Sequence, residues 1–201
     1  IDIEKNEDGT LKEDLKELLP IGDRRLGKNP NTNGGLLLKD LKLPEFKDYM
    51  MEFDRPGSVI KQDMIELGAY LRDVIKMNPD NFKMFSPDEA MSNRLYYTFD
   101  ATEREWNAEK FESDEKLNNE GRIIDSVLSE HVCEGMLEGY LLTGRHGIFD
   151  SYEAFIRIVD SMVSQHAKWI KVCNELPWRK EISSLNILLT SHIWQQDHNG
   201  Y

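Results

Sequence analysis

The segment Gly121-Arg-Ile-Ile-Asp-Ser-Val-Leu-Ser-Glu-His131 decides the fold class of this chain. Its apolar run predicts a buried strand over residues 122–128, and the apolar residues that follow at helical spacing predict a helix from Glu130 to Leu142. A strand that passes directly into a helix is the basic unit of an α/β sheet. The segment therefore places Glu130 in the first turn of a helix, just after the end of a strand.

Two opposing effects act on the carboxyl group of Glu130 at this position. A helix N-terminus stabilises a charged carboxylate by about 0.3–1 kcal/mol, whereas apolar surroundings favour the neutral acid. A carboxyl group between these effects can hold or share a proton. The simpler interpretation is a carboxylate that only stabilises its own helix, and position alone favours that interpretation.

Other segments predict the same alternation of strands and helices. The further elements expected are a helix with Ser58 as its N-cap, a short strand at Phe82–Phe85, a long helix over residues 151–174 and a central strand over residues 184–192. Residues 100–120 are polar and charged, which predicts an exposed loop. Residues 1–50 carry turn signals and little periodicity, which predicts an irregular arm. Together these segments predict an α/β fold with a mostly parallel sheet and flanking helices.

The predicted sheet also indicates where a ligand would bind. Ligands of open α/β sheets bind at the carboxyl ends of the strands. Ser92, Glu130 and residues 192–199 all follow predicted strands. They are therefore the first candidates for functional residues.

Composition excludes several classes of partner. The chain has 201 residues, 39% of them hydrophobic, and a formal net charge of −12, which disfavours nucleic acid and an anionic membrane surface. No apolar run approaches the roughly 18 residues of a membrane span, and the start of the chain does not resemble a signal peptide. Cys133 and Cys173 fall at apolar helix positions. They are interpreted as reduced core thiols, which is typical of a cytoplasmic protein.

Several longer strings resemble one enzyme family. They are His131-Val-Cys-Glu-Gly-Met-Leu-Glu-Gly-Tyr-Leu-Leu-Thr-Gly-Arg-His-Gly147, Ser151-Tyr-Glu-Ala-Phe155 and Trp194-Gln-Gln-Asp-His-Asn-Gly-Tyr201, with shorter ones at Asp23-Arg-Arg-Leu-Gly27, Asn33-Gly-Gly35 and Ser92-Asn-Arg-Leu95. Along its whole length the sequence resembles phosphoketolase, the thiamine diphosphate enzyme that cleaves xylulose 5-phosphate or fructose 6-phosphate. Long, dense matches of this kind are far more specific than one short motif.

The resemblance implies a domain organisation. Residues 1–50 would be an interdomain linker arm, and residues 51–201 would be the pyrimidine-binding domain of a thiamine diphosphate enzyme, truncated at its C-terminal side. Members of the family are several times longer, so the chain is expected to be a central fragment that is inactive by itself. The resemblance also implies a homodimer, and a diphosphate with Mg²⁺ or Ca²⁺ held by a domain outside this chain. It assigns no metal ligand here.

The resemblance also implies roles for individual residues. Glu130 is expected to hydrogen-bond the aminopyrimidine ring of the cofactor and to favour its imino form. The other expected roles are packing against the pyrimidine for Tyr152 and Phe155, binding of the sugar phosphate for Ser92, Arg94, Gln196 and Asn199, and proton transfer for His192 and His198.

Alternatives stay open for these residues and for the chain. Tyr152 and Phe155 could be ordinary core aromatics, and Arg94 a solvated turn residue. Glu134 competes with Glu130 within the motif, but it lies off the apolar stripe and is expected to face water or a subunit boundary. For the chain as a whole, the alternatives are a transketolase-like enzyme fragment and a non-catalytic dimerisation or interaction module.

Overall fold

The protein is built on a six-stranded sheet in which every pair of neighbours is parallel. The computed structural model describes residues 4–25, 28–31 and 35–190. In chain order the strands are β1 (Phe82–Phe85), β2 (Arg104–Glu105), β3 (Leu117–Asn118), β4 (Ile123–Ile124), β5 (His146–Ser151) and β6 (Ile187–Leu189). Their spatial order is β3-β2-β4-β1-β5-β6. The predicted α/β class with a parallel sheet is confirmed.

Helices flank both faces of this sheet. They are α1 (Glu13–Lys16), α2 (Asp63–Met77), α3 (Phe99–Thr102), α4 (Glu130–Leu142) and α5 (Asp160–Asn174), with 3-10 turns at Gly22–Arg24, Phe46–Tyr49, Tyr96–Thr98 and Ile156–Val159. In the described ranges, no helix is both long and apolar enough to cross a membrane. The predicted limits of α4 and β1 are confirmed to the residue.

The core consists of two apolar clusters, one on each face of the sheet. Met84 and Ile123 point to the face covered by α2. Their neighbours Phe85 and Ile124 point to the face covered by α4. Successive residues of a strand alternate between faces, so strands covered on both sides are continuously apolar. This coverage leaves the edges of the sheet for polar side chains.

Three predicted boundaries were wrong. Ser58 does not cap α2, which begins at Asp63 after the exposed residues 58–62. The helix begins only where its side chains reach the core. The strand predicted over residues 122–128 contains only Ile123–Ile124, and the one predicted over residues 184–192 contains Ile187–Leu189 among the described residues.

The loop predicted over residues 100–120 contains two short strands, β2 and β3, at the sheet edge. Their polar sequences lack the apolar pattern of buried strands. The long helix predicted from residue 151 begins at Asp160, because residues 146–151 form β5. Gly147 and Asp150 interrupt the apolar pattern of this strand. A Cβ atom at Gly147 would come within 2.8 Å of the carbonyl oxygen of Lys83 on β1 and within 2.6 Å of Leu137 Cδ1 on α4. The backbone of β1 cannot easily move away, so this close approach requires the glycine.

The second half of the N-terminal arm is attached to the amino edge of the sheet. Asn78 pairs with Lys42, donating to its carbonyl at 2.7 Å and accepting from its N–H at 2.9 Å. The carbonyl of Lys39 lies 3.2 Å from Asn81 Nδ2 and 2.8 Å from His146 Nε2. Since Asn81 and His146 stand just before or at the starts of β1 and β5, the arm crosses the edge opposite to the carboxyl ends.

We predict that Asn78→Ala lowers the free energy of unfolding by about 1–3 kcal/mol, because it leaves the buried carbonyl of Val74 and the partly buried backbone groups of Lys42 without their partner. Urea unfolding measures the change, and hydrogen exchange at Lys42 should accelerate. Asn107→Ala is the matched control, because its amide bonds an exposed carboxylate. Equal stability of the two variants would contradict this role of Asn78.

Candidate active site

The carboxyl ends of the strands meet at one edge of the sheet, the carboxyl edge. The loop after β1, residues 86–95, forms one side of this edge. Its backbone is strained at Asp88 and Arg94, whose φ angles are 63° and 66°. Non-glycine residues rarely adopt such angles, which cost on the order of 1–3 kcal/mol and cluster at functional sites. Ser92 lies between them, and its hydroxyl donates to the Glu89 carbonyl at 3.0 Å.

The start of α4 forms the neighbouring part of the edge. Ser129 caps the helix: its side chain accepts from the N–H of Val132 at 3.4 Å and its carbonyl accepts from the N–H of Cys133 at 3.0 Å. Glu130 is therefore the first helical residue, as predicted, and it is half-buried. Strands β4 and β1 are paired, so Glu130 and the loop after β1 stand on adjacent strand ends.

The end of β5 brings an aromatic pair to the same edge. Tyr152 and Phe155 meet edge to face, with ring centroids 5.9 Å apart. The hydroxyl of Tyr152 donates to Ser92 Oγ at 2.8 Å. Both aromatic residues precede α5 and do not start it, which corrects the predicted helix. The hydrogen bond joins two of the residues that the sequence singled out.

A fully buried carboxyl group, Asp150, lies behind these residues. Its Oδ2 accepts from Ser86 Oγ at 3.0 Å and from Asn93 Nδ2 at 2.9 Å. Burial raises the pKa of Asp150 to about 7, although the hydrogen bonds from Asn93 and Ser86 lower it. Near neutral pH this group therefore exchanges between its charged and neutral forms.

Two further carboxyl groups complete an acidic cluster. Asp125 accepts from the N–H of Ala90 at 3.1 Å, and burial raises its pKa to about 6. Burial raises the pKa of Glu89 to about 7, with smaller contributions from the charges of Asp150 and Glu130. The contribution from Glu130 indicates that its carboxyl group lies near this cluster.

The acidic cluster also contributes to the raised pKa of a nearby thiol, that of Cys133. Burial, followed by the charges of Asp150 and Asp125, raises the pKa of Cys133 to about 12. Cys133 and Cys173 are both free and buried, which confirms the predicted core positions. At neutral pH the thiol of Cys133 is uncharged and contributes packing rather than nucleophilic chemistry.

Sequence reasoning missed three residues of this cluster: Glu89, Asp125 and Asp150. A signal was present for two of them. Asp125 follows Ile123–Ile124 and Asp150 follows an apolar pair within β5. A carboxylate directly after two apolar strand residues can end up buried at the carboxyl edge, but its burial depends on loops from distant parts of the chain.

The remaining predicted residues divide into two groups. Arg94 is exposed and lies on the same loop as Ser92. His192, Gln196, His198 and Asn199 lie outside the described residues, so their assignments stay predictions. Elsewhere in the chain, the described His, Cys, Asp and Glu side chains form no group of three or more that could hold a metal ion.

Glu134 corrects one prediction, because it faces neither water nor the surface. Its side chain is fully buried, and neither carboxyl oxygen has a hydrogen-bond partner among the described residues. Burial, followed by repulsion from Glu138 one turn later, raises its pKa. Helix α5 covers this side of α4: His166, buried on α5, has Nδ1 3.3 Å from Glu138 Oε1.

The arrangement at the edge can hold a flat heterocyclic ring. An aromatic pair supplies packing surface, and Glu130 supplies a carboxyl group that can exchange a proton with a ring nitrogen. Three buried acceptor atoms of this cluster, on Glu89, Asn93 and Asp150, have no donor in the described part of the chain. The acidic cluster therefore has more buried acceptors than donors among the described residues.

Comparisons with known proteins agree on one family. A family model described as D-xylulose 5-phosphate/D-fructose 6-phosphate phosphoketolase matches residues 65–201. The chain is 60% identical over 199 residues to "Probable phosphoketolase" of Clostridium acetobutylicum. It is 57% identical over 197 residues to "Xylulose-5-phosphate phosphoketolase" of Lactiplantibacillus pentosus, and 54% identical over 196 residues to "Probable phosphoketolase" of Thermosynechococcus vestitus.

These alignments cover 98%, 98% and 96% of this chain, but only 25%, 25% and 24% of the relatives. The chain therefore spans about a quarter of the length of the curated relatives that it matches.

We predict that Glu134→Gln stabilises the folded chain increasingly as pH rises. Because the folded pKa of Glu134 is raised above its ordinary value of 4.5, the folded state binds the proton more tightly than the unfolded state. Stability of the parent chain is then lost as pH rises from 4.5 towards the raised pKa, by at most about 1.4 kcal/mol per pH unit. Urea unfolding at several pH values measures the difference. Glu52→Gln, at an exposed position, is the control, and parallel pH profiles for Glu134→Gln and the parent would refute the idea.

Proposed function

Because this chain belongs to the phosphoketolase family, we propose that it supplies part of the active site of an enzyme acting on xylulose 5-phosphate, fructose 6-phosphate or both. With inorganic phosphate, the products are acetyl phosphate, a shorter aldose phosphate and water. The observation that carries the proposal is the hydrogen bond between Tyr152 and Ser92 at the carboxyl ends of β5 and β1, beside the strand β4 that leads to Glu130 at the start of α4. Ligands of parallel sheets bind at this edge.

The residues at this edge fit the aminopyrimidine part of thiamine diphosphate. When bound, this cofactor supplies the carbon nucleophile and the electron sink for cleavage of a carbon–carbon bond. Tyr152 and Phe155 offer an edge-to-face pair against which the ring can pack.

Glu130 is the proposed proton-transfer residue. It is the first residue of α4, half-buried and next to the acidic cluster. A carboxyl group in this position can exchange a proton with a ring nitrogen of the cofactor. The buried Glu134 lies one turn further along α4, against α5, and is assigned no such role.

Ser92 and Arg94 are the proposed ligands of the sugar phosphate. Both are exposed on the strained loop after β1. A hydroxyl group and a guanidinium group can bind phosphate oxygens with directed hydrogen bonds. In the same proposal, Gln196 and Asn199 bind the sugar, and His192 and His198 move protons.

The rest of the enzyme would come from outside this chain. We propose that residues 1–50 act as the interdomain linker arm and residues 51–201 as the pyrimidine-binding domain. A different domain would hold the diphosphate with Mg²⁺ or Ca²⁺, and a second subunit would complete a homodimer. The isolated chain would then be inactive, and the whole enzyme would work in the cytoplasm. Family membership disfavours a transketolase-like fragment, and a non-catalytic module would have no use for buried carboxyl groups at a ligand-binding edge.

Glu130→Gln tests the cofactor assignment in a full-length phosphoketolase that carries this chain. We expect turnover to fall by about 10²–10⁴-fold with the fold intact, because an amide keeps the shape but cannot exchange the proton. Exchange of the thiazolium proton, followed by NMR, should slow in parallel. Unchanged exchange in Glu130→Gln, together with slowed exchange in Glu134→Gln, would transfer the role to Glu134.

Arg94→Ala tests the substrate assignment in the same enzyme. A charge-assisted hydrogen bond contributes roughly 1.5–3 kcal/mol, so the Michaelis constant for the ketose phosphate should rise about ten- to a hundredfold. Affinity for thiamine diphosphate should change little. Arg94→Lys should rescue only in part, because an ammonium group lacks the planar fork. Arg55→Ala, at an exposed arginine elsewhere, is the control, and a normal Michaelis constant in Arg94→Ala would make Arg94 a solvated turn residue.

A further inference from the structure

We propose that Asp150 is a positioning residue that works in its neutral, protonated form: it ties the phosphate-binding loop to β5 and keeps a negative charge away from the bound substrate phosphate. This inference rests on the proposed function, because it takes residues 86–95 as the loop that binds the sugar phosphate. Asp150 itself touches neither substrate nor cofactor in this proposal. It acts through Ser86 and Asn93.

Asp150 is hydrogen-bonded to residues near both ends of that loop. Ser86 begins the loop and Asn93 stands near its end, and both donate to the same oxygen of Asp150, at 3.0 Å and 2.9 Å. Ser92, next to Asn93, is held by the hydroxyl of Tyr152 at 2.8 Å. Residues 150 and 152 at the end of β5 therefore fix three points of the loop that carries Ser92 and Arg94.

A second carboxyl group holds the middle of the loop. Asp125 accepts from the backbone N–H of Ala90 at 3.1 Å. Arg104 approaches this carboxyl group, with Nη1 4.0 Å from Asp125 Oδ2. The cation therefore favours ionisation of Asp125, whereas hydrogen bonds, those from Asn93 and Ser86 first, favour ionisation of Asp150.

The surroundings of Asp150 favour its neutral form. Acidic groups lie near it on other elements: Glu89 follows the neighbouring strand β1, Asp125 follows β4, and Glu130 begins α4. Its second oxygen, Oδ1, is buried without a donor among the described residues, as are Glu89 Oε2 and Asn93 Oδ1. A buried cluster with more acceptors than donors becomes more stable when it takes up a proton.

A neutral Asp150 has a consequence for binding. The substrate and the second reactant are both anionic phosphates, and a carboxylate directly behind the loop would repel them. Since the folded pKa of Asp150 is raised to about 7, the neutral form dominates below that pH and is lost above it. Phosphate binding should therefore weaken as pH rises above about 7.

Asp150→Asn separates protonation from structure. The amide oxygen can accept from Ser86 and Asn93 as the carboxyl oxygen does, and the amide group stays neutral at every pH. In the full-length phosphoketolase that carries this chain, the Michaelis constant for xylulose 5-phosphate should rise up to about tenfold per pH unit above pH 7. In Asp150→Asn this rise should be absent, whereas kcat should change little.

Two further variants complete this series. Asp150→Ala removes the ties to the loop and should raise the Michaelis constant at every pH. Asp80→Asn, at an exposed aspartate near the amino end of β1, should retain the pH dependence of the parent enzyme. Titration of the substrate phosphate is common to all the variants, so it does not affect their comparison.

Infrared difference spectroscopy reads the protonation state without relying on activity. Glu89 and Asp125 also have raised pKa values, so the signal of Asp150 is the part of the protonated-carboxyl carbonyl band that Asp150→Asn removes. This part should be present below pH 7, lost above it, and retained in Asp80→Asn. Ser86→Ala serves as a second variant if Asp150→Asn does not fold: it removes a hydrogen bond that favours the ionised form, so the band should persist to higher pH.

The outcomes distinguish this inference from the proposed function. It is overturned if Asp150→Asn keeps both the parental pH dependence and the parental infrared band, or if Ser86→Ala leaves the band's pH dependence unchanged. If the enzyme cleaves no ketose phosphate but the band disappears with Asp150, the proposed reaction fails and the neutral form of Asp150 stands.

Discussion

Coverage of the parallel sheet on both faces governs where polar chemistry can occur in this protein. Helix α2 packs over Met84 and Ile123, and helix α4 packs over Phe85 and Ile124. Buried polar groups need hydrogen-bond partners, and the apolar layers offer none. Polar side chains therefore gather at the strand ends, where loops can supply hydroxyl, amide and backbone donors.

The polar side chains at the two edges of the sheet differ in their hydrogen-bond partners. At the amino edge, Asn78, Asn81 and His146 bind the backbone of the arm around Lys39 and Lys42, which gives that edge a structural role. At the carboxyl edge, the bonds join loop to strand end and leave three acceptors without donors in the part of the chain that the structure describes. Incomplete pairing of buried polar groups is costly, and it points to a function at this edge.

The sequence predicted those parts of the structure in which local pattern and tertiary packing agree. The apolar stripe and cap of α4 gave its limits, from Glu130 to Leu142, and Phe82–Phe85 formed the predicted strand. The prediction failed at β5, because Gly147 and Asp150 interrupt its apolar pattern. These two residues fit contacts with α4 and with the loop after β1, which the local sequence does not reveal. It also failed at Glu134, whose burial depends on α5, a helix that follows later in the chain. In the candidate site, family resemblance identified Ser92, Glu130 and Tyr152, whereas the acidic residues behind them became visible only in three dimensions.

An acidic protein that binds anionic substrates must limit the repulsion between them. The chain has a formal net charge of −12, and four carboxyl groups gather near its proposed phosphate-binding loop. Burial resolves part of this conflict, because it raises the pKa of Asp150, Glu89 and Asp125 and so reduces their charge near neutral pH. Such groups destabilise the fold as pH rises, since the unfolded chain ionises them freely. Apolar residues of similar size would avoid that cost, so stability alone does not explain carboxyl groups at these positions. In the proposed function, these carboxyl groups hold the loop through hydrogen bonds while the negative charge behind it stays low.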